Sequence, residues 1–325
     1  MKACVLNSFG SYKNLVIKDI PEPKDLGPND VLIRHVAIGV NFDDIMLRKG
    51  LYQMKNDKNI ILGTEGVAVV QKKGENVKSF NIGDKVGYGF SPIGAYSQLR
   101  VIDYRFLIAI PQEIEPDIAA AILRKGMTAE YLLFKVFRPS KEDWIIVHSV
   151  AGGVGHLLAK WAKFCGLNVI GTVCDDSKIS IALATGCNFV INRKTESISK
   201  KVLEYTEGKG VRVVYDGIGK TVFEDSIASL SPFGLYVSYG YSGGFLDPID
   251  CAKLRDKSLF LSVPRIEMYK SNRYELIYSC SSIFEMAKKG VLSPNIARYT
   301  IEGIPQAHAD LESGKSTGSI VVNIY

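Results

Sequence analysis

The run Trp144-Ile-Ile-Val-His-Ser-Val-Ala-Gly-Gly-Val-Gly155 has the makings of a phosphate cradle: an apolar strand enters a tight glycine turn and a helix starts directly after it. Glycine backbones let a pyrophosphate approach the helix N-terminus, where N–H groups and the helix dipole favour an anion. Gly152 and Gly155 take the middle and last glycine positions of a dinucleotide fingerprint, with Val150 where the first would stand. Val150 is larger than the turn prefers and is expected to push the pyrophosphate slightly. A plain βα turn shows similar glycines; five further strands in βα alternation select the dinucleotide reading. The end of the second strand bears on the cofactor. An NAD site places Asp or Glu there, about 20 residues on, for the ribose hydroxyls. This chain has Cys174, then Lys178 one helical turn later and Arg193 after the next strand. Two cations and no carboxylate at that point suit a 2′-phosphate, which predicts NADPH over NADH. Asp175 and Asp176 would repel it if they pointed inward, and both cations also read as ordinary solvated charge.

Other reactive residues form no constellation. The six cysteines, Cys4, Cys165, Cys174, Cys187, Cys251 and Cys280, contain no CxxC pair. They read as free thiols in a reducing cytoplasm. His35, His148, His156 and His308 share no motif and receive no catalytic role; His148, ending a buried strand, reads as a satisfied core residue.

Elements must hold these residues in place. At 325 residues the chain is long enough for about two domains. The first 120 or so residues are β-rich, with strands over 31–36, 66–71 and 95–102 between turn signals. From about Thr128 a helical stretch (129–137) leads into strands over 144–148, 168–174, 188–192, 211–215, 235–239 and 259–263. Helices over 156–165, 177–185, 197–206 and 222–230 lie between most of them, and Gly166 and Gly186 occupy helix C′ positions. Such alternation means an α/β, doubly wound parallel sheet. The tail, with a long helix over 274–289, two strands and a short helix, is expected to return to the first domain. The expected domains are therefore 1–125 with 266–325, and 126–265. No stretch has the roughly 20 apolar residues of a membrane span, and no signal-type segment precedes the first strand. The net charge of +6 is thin and scattered; with no aromatic stacking platform, no nucleic-acid partner is expected.

Several segments together carry a family resemblance: Ile38-Gly-Val-Asn-Phe-Asp-Asp44, Arg48-Lys-Gly-Leu-Tyr52, Leu62-Gly-Thr-Glu-Gly66, Gly83-Asp-Lys-Val86, Lys125-Gly-Met-Thr128, the turn at 151–155, Val213-Val-Tyr-Asp216 and Gly318-Ser-Ile-Val321. Their order resembles the zinc-free quinone oxidoreductase (zeta-crystallin-like) branch of the medium-chain dehydrogenase/reductase superfamily. The resemblance implies a GroES-like β-rich catalytic domain beside a Rossmann NADPH domain, with the active site in the cleft between them. It places Asn41, Asp44 and Tyr52 at the catalytic site, Asn41 on the cofactor or an acceptor oxygen. Thr128, Gly152, Gly153, Val154, Lys178, Arg193, Tyr239 and Ser242 fall at cofactor positions. Gly314 stands where an arginine is common, which leaves Lys315 as the nearest cation. Zinc relatives carry Cys where Asn41 stands and His where Thr64 stands, so no catalytic metal is expected. Without a Lewis acid the fitting acceptor is already electrophilic, a quinone or conjugated carbonyl, and quinone reduction by hydride from NADPH is the leading expectation. Reduction of 2-alkenal or enoyl double bonds is the alternative, and an NADPH-binding protein with little catalysis the second. The branch is often dimeric, and the edge strand at 259–263 offers pairing to a second copy.

Overall fold

The structure, a computed structural model, describes residues 1–52, 54, 59–90 and 92–324. The chain forms two compact units. The first comprises Met1–Met127, Lys270–Lys288 and Ser293–Tyr325, the second Thr128–Tyr269 and Lys289–Leu292.

In the second unit the described residues form a six-stranded sheet, parallel throughout. In chain order its strands are Trp144–Val147, Asn168–Val173, Phe189–Asn192, Val211–Asp216, Leu230–Ser238 and Phe260–Ser262. Their spatial order is 3-2-1-4-5-6, the doubly wound arrangement. The central strands are runs such as Trp-Ile-Ile-Val because both faces are covered. Helices Gly153–Phe164, Ile198–Tyr205 and Phe223–Ser229 lie between strands. Gly166 (φ +80°) and Gly186 (φ +90°) adopt the left-handed conformation that ends a helix. Phe260–Ser262 is an edge strand, as its sequence position suggested.

The first unit is built on Asp30–Val40, which pairs antiparallel with Glu65–Lys73 on one side. On its other side it pairs with Leu99–Asp103 over its first half and with Ser319–Asn323 over its second. The tail strand Ser319–Asn323 therefore joins the first sheet, whereas residues 266–269 and 289–292 of the tail group with the second unit. A three-stranded sheet of Lys2–Leu6, Leu15–Asp19 and Ile60–Ile61 completes the core with Leu6, Ile33, Ile38, Val70 and Tyr96.

Three features depart from the sequence reading. Helix Pro116–Tyr131 begins well before residue 129 and passes into a π turn over Leu132–Val136. A short helix, Phe42–Arg48, interrupts the β-rich region. The strand expected over 95–102 is Leu99–Asp103, preceded by an irregular segment that carries Tyr96.

Candidate functional site

Strands 1 and 4 of the parallel sheet are neighbours from which the chain winds in opposite directions, the place where open α/β sheets bind ligands beyond their carboxyl ends. The glycine turn lies there. Gly152 caps helix Gly153–Phe164, whose first N–H groups face outward from the sheet's end. A Cβ on Gly155 would stand 2.5 Å from the Ser149 carbonyl oxygen, so only glycine lets the helix start this tightly on the strand. Val150 is fully buried, its N–H donates to Thr172 O at 3.1 Å, and its Cγ1 fills the space a Cβ on Gly171 would take, so its side chain packs into the sheet.

His148, at the end of the first strand, is a core residue with a fixed proton. Ser226 Oγ donates to Val222 O at 2.6 Å, so His148 Nε2 donates to Ser226 Oγ at 2.8 Å. Its Nδ1 then accepts from Thr172 Oγ1 at 2.9 Å. Burial lowers its pKa and keeps the ring neutral.

The two cations flank the end of the second strand. The Arg193 N–H donates to Val173 O at 3.0 Å, one residue before Cys174, and its guanidinium charge reaches His148. Lys178 closes the turn Asp176–Lys178. The neighbouring carboxylates are tied to local donors. Asp175 accepts from Ser177 Oγ at 2.6 Å and Ser177 N at 2.9 Å, bonds that hold its pKa below the usual range. Asp176 accepts from Asn192 Nδ2 at 2.7 Å. At the fifth strand's end the Tyr239 ring lies over Gly217, and Ser242 Oγ donates to Gly217 O at 3.0 Å. Asp216 fixes that loop by accepting from the N–H groups of Ile218 (2.6 Å) and Gly219. Gly152, Gly153, Val154, Lys178, Arg193, Tyr239 and Ser242 thus follow strand ends on one edge of a parallel sheet. Thr128 lies in the last turn of helix Pro116–Tyr131. These residues suit a dinucleotide with a 2′-phosphate: a cradle that a Cβ would fill, and two cations beside the end of the second strand, of which Lys178 also acts on Asp175.

The first unit gathers a second cluster. Asn41 follows strand Asp30–Val40 and caps helix Phe42–Arg48; its N–H donates to Asp44 Oδ2 at 2.9 Å, the reciprocal half of a capping box. Glu65 lies opposite Gly39 in the sheet, and a Cβ on Gly39 would sit 2.1 Å from Glu65 Oε2. Across that bare backbone Glu65 Oε2 accepts from Asn41 Nδ2 (2.9 Å) and Lys125 Nζ (3.0 Å), while Oε1 accepts from Arg124 N (2.7 Å). Arg124 also pairs with Asp43. Asp44 Oδ2 accepts in addition from the Tyr96 hydroxyl at 3.0 Å, and that hydroxyl contacts His308 Nε2 at 2.9 Å. Asp44, Glu65, Tyr96 and His308 are fully buried. Burial raises the Asp44 pKa to about 6, against the opposing effects of Asn41, Arg124 and Tyr96. Sequence reasoning quoted Glu65 within a motif without giving it a role, gave His308 no catalytic role, and missed Arg124 and Tyr96. Tyr52 is half-buried in the same unit, and Lys315 is exposed just beyond helix Ile304–Glu312. A zinc ion does not fit this cluster: Asn41 gives its amide to Glu65, and Thr64 offers only a hydroxyl, 3.5 Å from Asp44 Oδ1. Among the described residues no three His, Cys, Asp or Glu are grouped to hold a metal.

Comparison with known proteins spans the whole chain. Residues 27–112 match the family described as alcohol dehydrogenase GroES-like domain, and residues 153–284 that described as zinc-binding dehydrogenase. A 2-haloacrylate reductase from Burkholderia sp is 36% identical, with 98% of each chain covered. Quinone oxidoreductase 1 from Escherichia coli K12 is 36% identical over 91% of this chain and 92% of its own. The crystal structure of Escherichia coli quinone oxidoreductase complexed with NADPH superposes with a TM-score of 0.96 at 34% identity, covering 99% of this chain and 100% of that one.

Proposed function

Because this chain belongs to the quinone oxidoreductase branch of the medium-chain dehydrogenase/reductase superfamily, we propose that it is an NADPH:quinone oxidoreductase. The main support is the full-length likeness to an NADPH-bound quinone oxidoreductase. NADPH, when bound, supplies the hydride. In this reading the helix N-terminus at Gly152, Gly153 and Val154 receives the pyrophosphate, and Lys178 and Arg193 neutralise the 2′-phosphate. Thr128, Tyr239, Ser242 and Lys315 supply outer contacts. Asn41, held by Glu65 and Asp44, orients the reacting end, and Tyr52 walls it. A quinone is already electrophilic, and its reduced form spreads negative charge onto oxygen, so positioning and exclusion of water carry the rate.

A second reading has specific support, since the Burkholderia relative is a 2-haloacrylate reductase and a haloacrylate carries a conjugated carbon–carbon double bond. Steady-state oxidation of NADPH and NADH against 1,4-benzoquinone, a 2-alkenal and 2-chloroacrylate separates the two. Rapid NADPH oxidation with the quinone is the expected result. Turnover with only the alkenal or the chloroacrylate transfers the protein to the double-bond reductases, and tight NADPH binding without turnover makes it a binding protein.

The proposal extends to a homodimer paired through the edge strand Phe260–Ser262, where Phe260 is 60% and Val263 51% exposed. Sedimentation at micromolar concentration should then give twice the 35.8 kDa chain mass; a monomer overturns this part. All six cysteines are free, which accords with a reducing, cytoplasmic location. Among the described residues no helix is long and apolar enough to cross a membrane.

A further inference from the structure

Asp44 presents a problem of protonation state. It is fully buried, yet it sits at the Asn41 end of the candidate site and its protonation state decides how well it accepts from the Asn41 N–H. The bonds around it suggest an answer. Tyr96 has a single hydroxyl proton and donates it to Asp44 Oδ2. His308 Nε2, 2.9 Å from the same phenol oxygen, must then carry a hydrogen and donate it to Tyr96. That leaves His308 Nδ1 as a bare lone pair, and Nδ1 is buried without a hydrogen-bond partner. An orphaned acceptor is tolerated better than an orphaned N–H donor. Arg48, fully buried with Nε and Nη1 also without partners, acts electrostatically on His308 and favours the lone pair over an N–H at Nδ1.

We propose that Tyr96 and His308 are positioning residues whose hydrogen-bond chain, His308 Nε2 to Tyr96 OH to Asp44 Oδ2, holds Asp44 as the carboxylate that fixes Asn41 and reverses its direction when Asp44 is protonated. The role of Asn41 in this rests on the function proposed above. When Asp44 is protonated it donates to the Tyr96 oxygen, Tyr96 donates to His308 Nε2, and the ring hydrogen resides on Nδ1. The cluster then holds one proton more, with the ring and the phenol both neutral. The charged and titratable groups facing the chain are Arg124 and Asp43 at Asp44, Cys4 and Arg48 at Tyr96, and Arg48 and Glu312 at His308. Burial and Arg48 depress the His308 pKa to about 3, so histidinium is not a resting state of the chain.

With four histidines in the chain, long-range ¹⁵N spectra of the imidazoles can read each tautomer without substrate or cofactor. His308 is expected to be the neutral Nε2–H form at pH 7.5 and to convert to Nδ1–H, without a histidinium signal, as pH falls through Asp44's titration. In Tyr96→Phe that conversion is lost. The acid limb of kcat/KM for NADPH moves up by about one pH unit, because the carboxylate loses a donor. His308→Gln retains an N–H for Tyr96 and returns the limb to its wild-type position, whereas His308→Leu shifts it as Tyr96→Phe does. An Nδ1–H ring at pH 7.5, an unchanged conversion in Tyr96→Phe, or a fall in Tm with an unmoved pH profile overturns the proposal. Absence of quinone turnover in the wild type would instead count against the function, and the tautomer spectra would still decide the chain.

Discussion

Replacing Lys178 and Arg193 together by alanine is expected to raise the Kd for NADPH about 100-fold while leaving that for NADH within a few-fold of wild type. Each cation lost from a phosphate removes a charge-assisted bond worth about 1.5–3 kcal/mol, discounted here because both side chains remain partly in water. The geometry makes the pair cooperative in placement: the Arg193 backbone is pinned to Val173, and Lys178 lies in the turn that follows the same strand. Asp175 and Asp176 remain bonded to Ser177 and Asn192 in the variant, so no new ribose acceptor is created and NADH gains little. Fluorescence titration with both cofactors checks this. An equal loss for NADH and NADPH would show that the two residues serve the fold rather than the 2′-phosphate.

Asp44→Asn is expected to give a more stable protein and a poorer enzyme. Burial raises the folded-state pKa from 3.8 to about 6. The folded chain therefore binds this proton more tightly than the unfolded chain does. The stabilisation from that proton is full below about pH 4 and is lost as pH rises through 6. At pH 8 the ionised, buried carboxylate costs about 3 kcal/mol relative to a neutral group, from roughly 1.4 kcal/mol per pKa unit. Asparagine avoids that cost, so its urea midpoint should exceed wild type at pH 8 and converge with it near pH 4. Its kcat/KM should fall about 10-fold or more, because the Asn41 N–H loses a charged acceptor. A variant less stable than wild type at pH 8 would mean that Asn41, Arg124 and Tyr96 together more than offset the carboxylate's burial.

The parallel half of the fold was legible because its physics is local. A strand covered on both faces must be a continuous apolar run, and a left-handed glycine such as Gly166 ends a helix wherever it occurs. The residues after those strands were legible for the same reason, since position after a strand is itself the signal. Most of helix Pro116–Tyr131 was missed because it is buried nearly all round through Ala119–Leu123 and so lacks an amphipathic period. The motif segments supplied Asn41, Asp44, Glu65 and Lys125 but no sign that they meet in one buried cluster. Its bonds join residues 24, 52 and 212 positions apart, and a lone Tyr96 or His308 in a sequence looks like any other core aromatic. Gly39 was quoted as part of a motif, yet only the sheet register shows that its missing side chain is the space Glu65 occupies.

The pairing of Ser319–Asn323 against the second half of Asp30–Val40 has a consequence for the order of events during synthesis. The parallel sheet is complete once Phe260–Ser262 emerges, so that unit can fold on the ribosome. Strand Asp30–Val40 must wait for a partner made about 280 residues later, on the order of 15–60 s at typical elongation rates. Throughout that interval the half-edge from Ala37 to Val40, two of whose residues are Ile38 and Val40, is an open apolar template. The nascent chain's greatest exposure to misassociation is therefore set by its slowest-arriving strand, and a ribosome-bound chain arrested before Ser319 should be the species most dependent on chaperones.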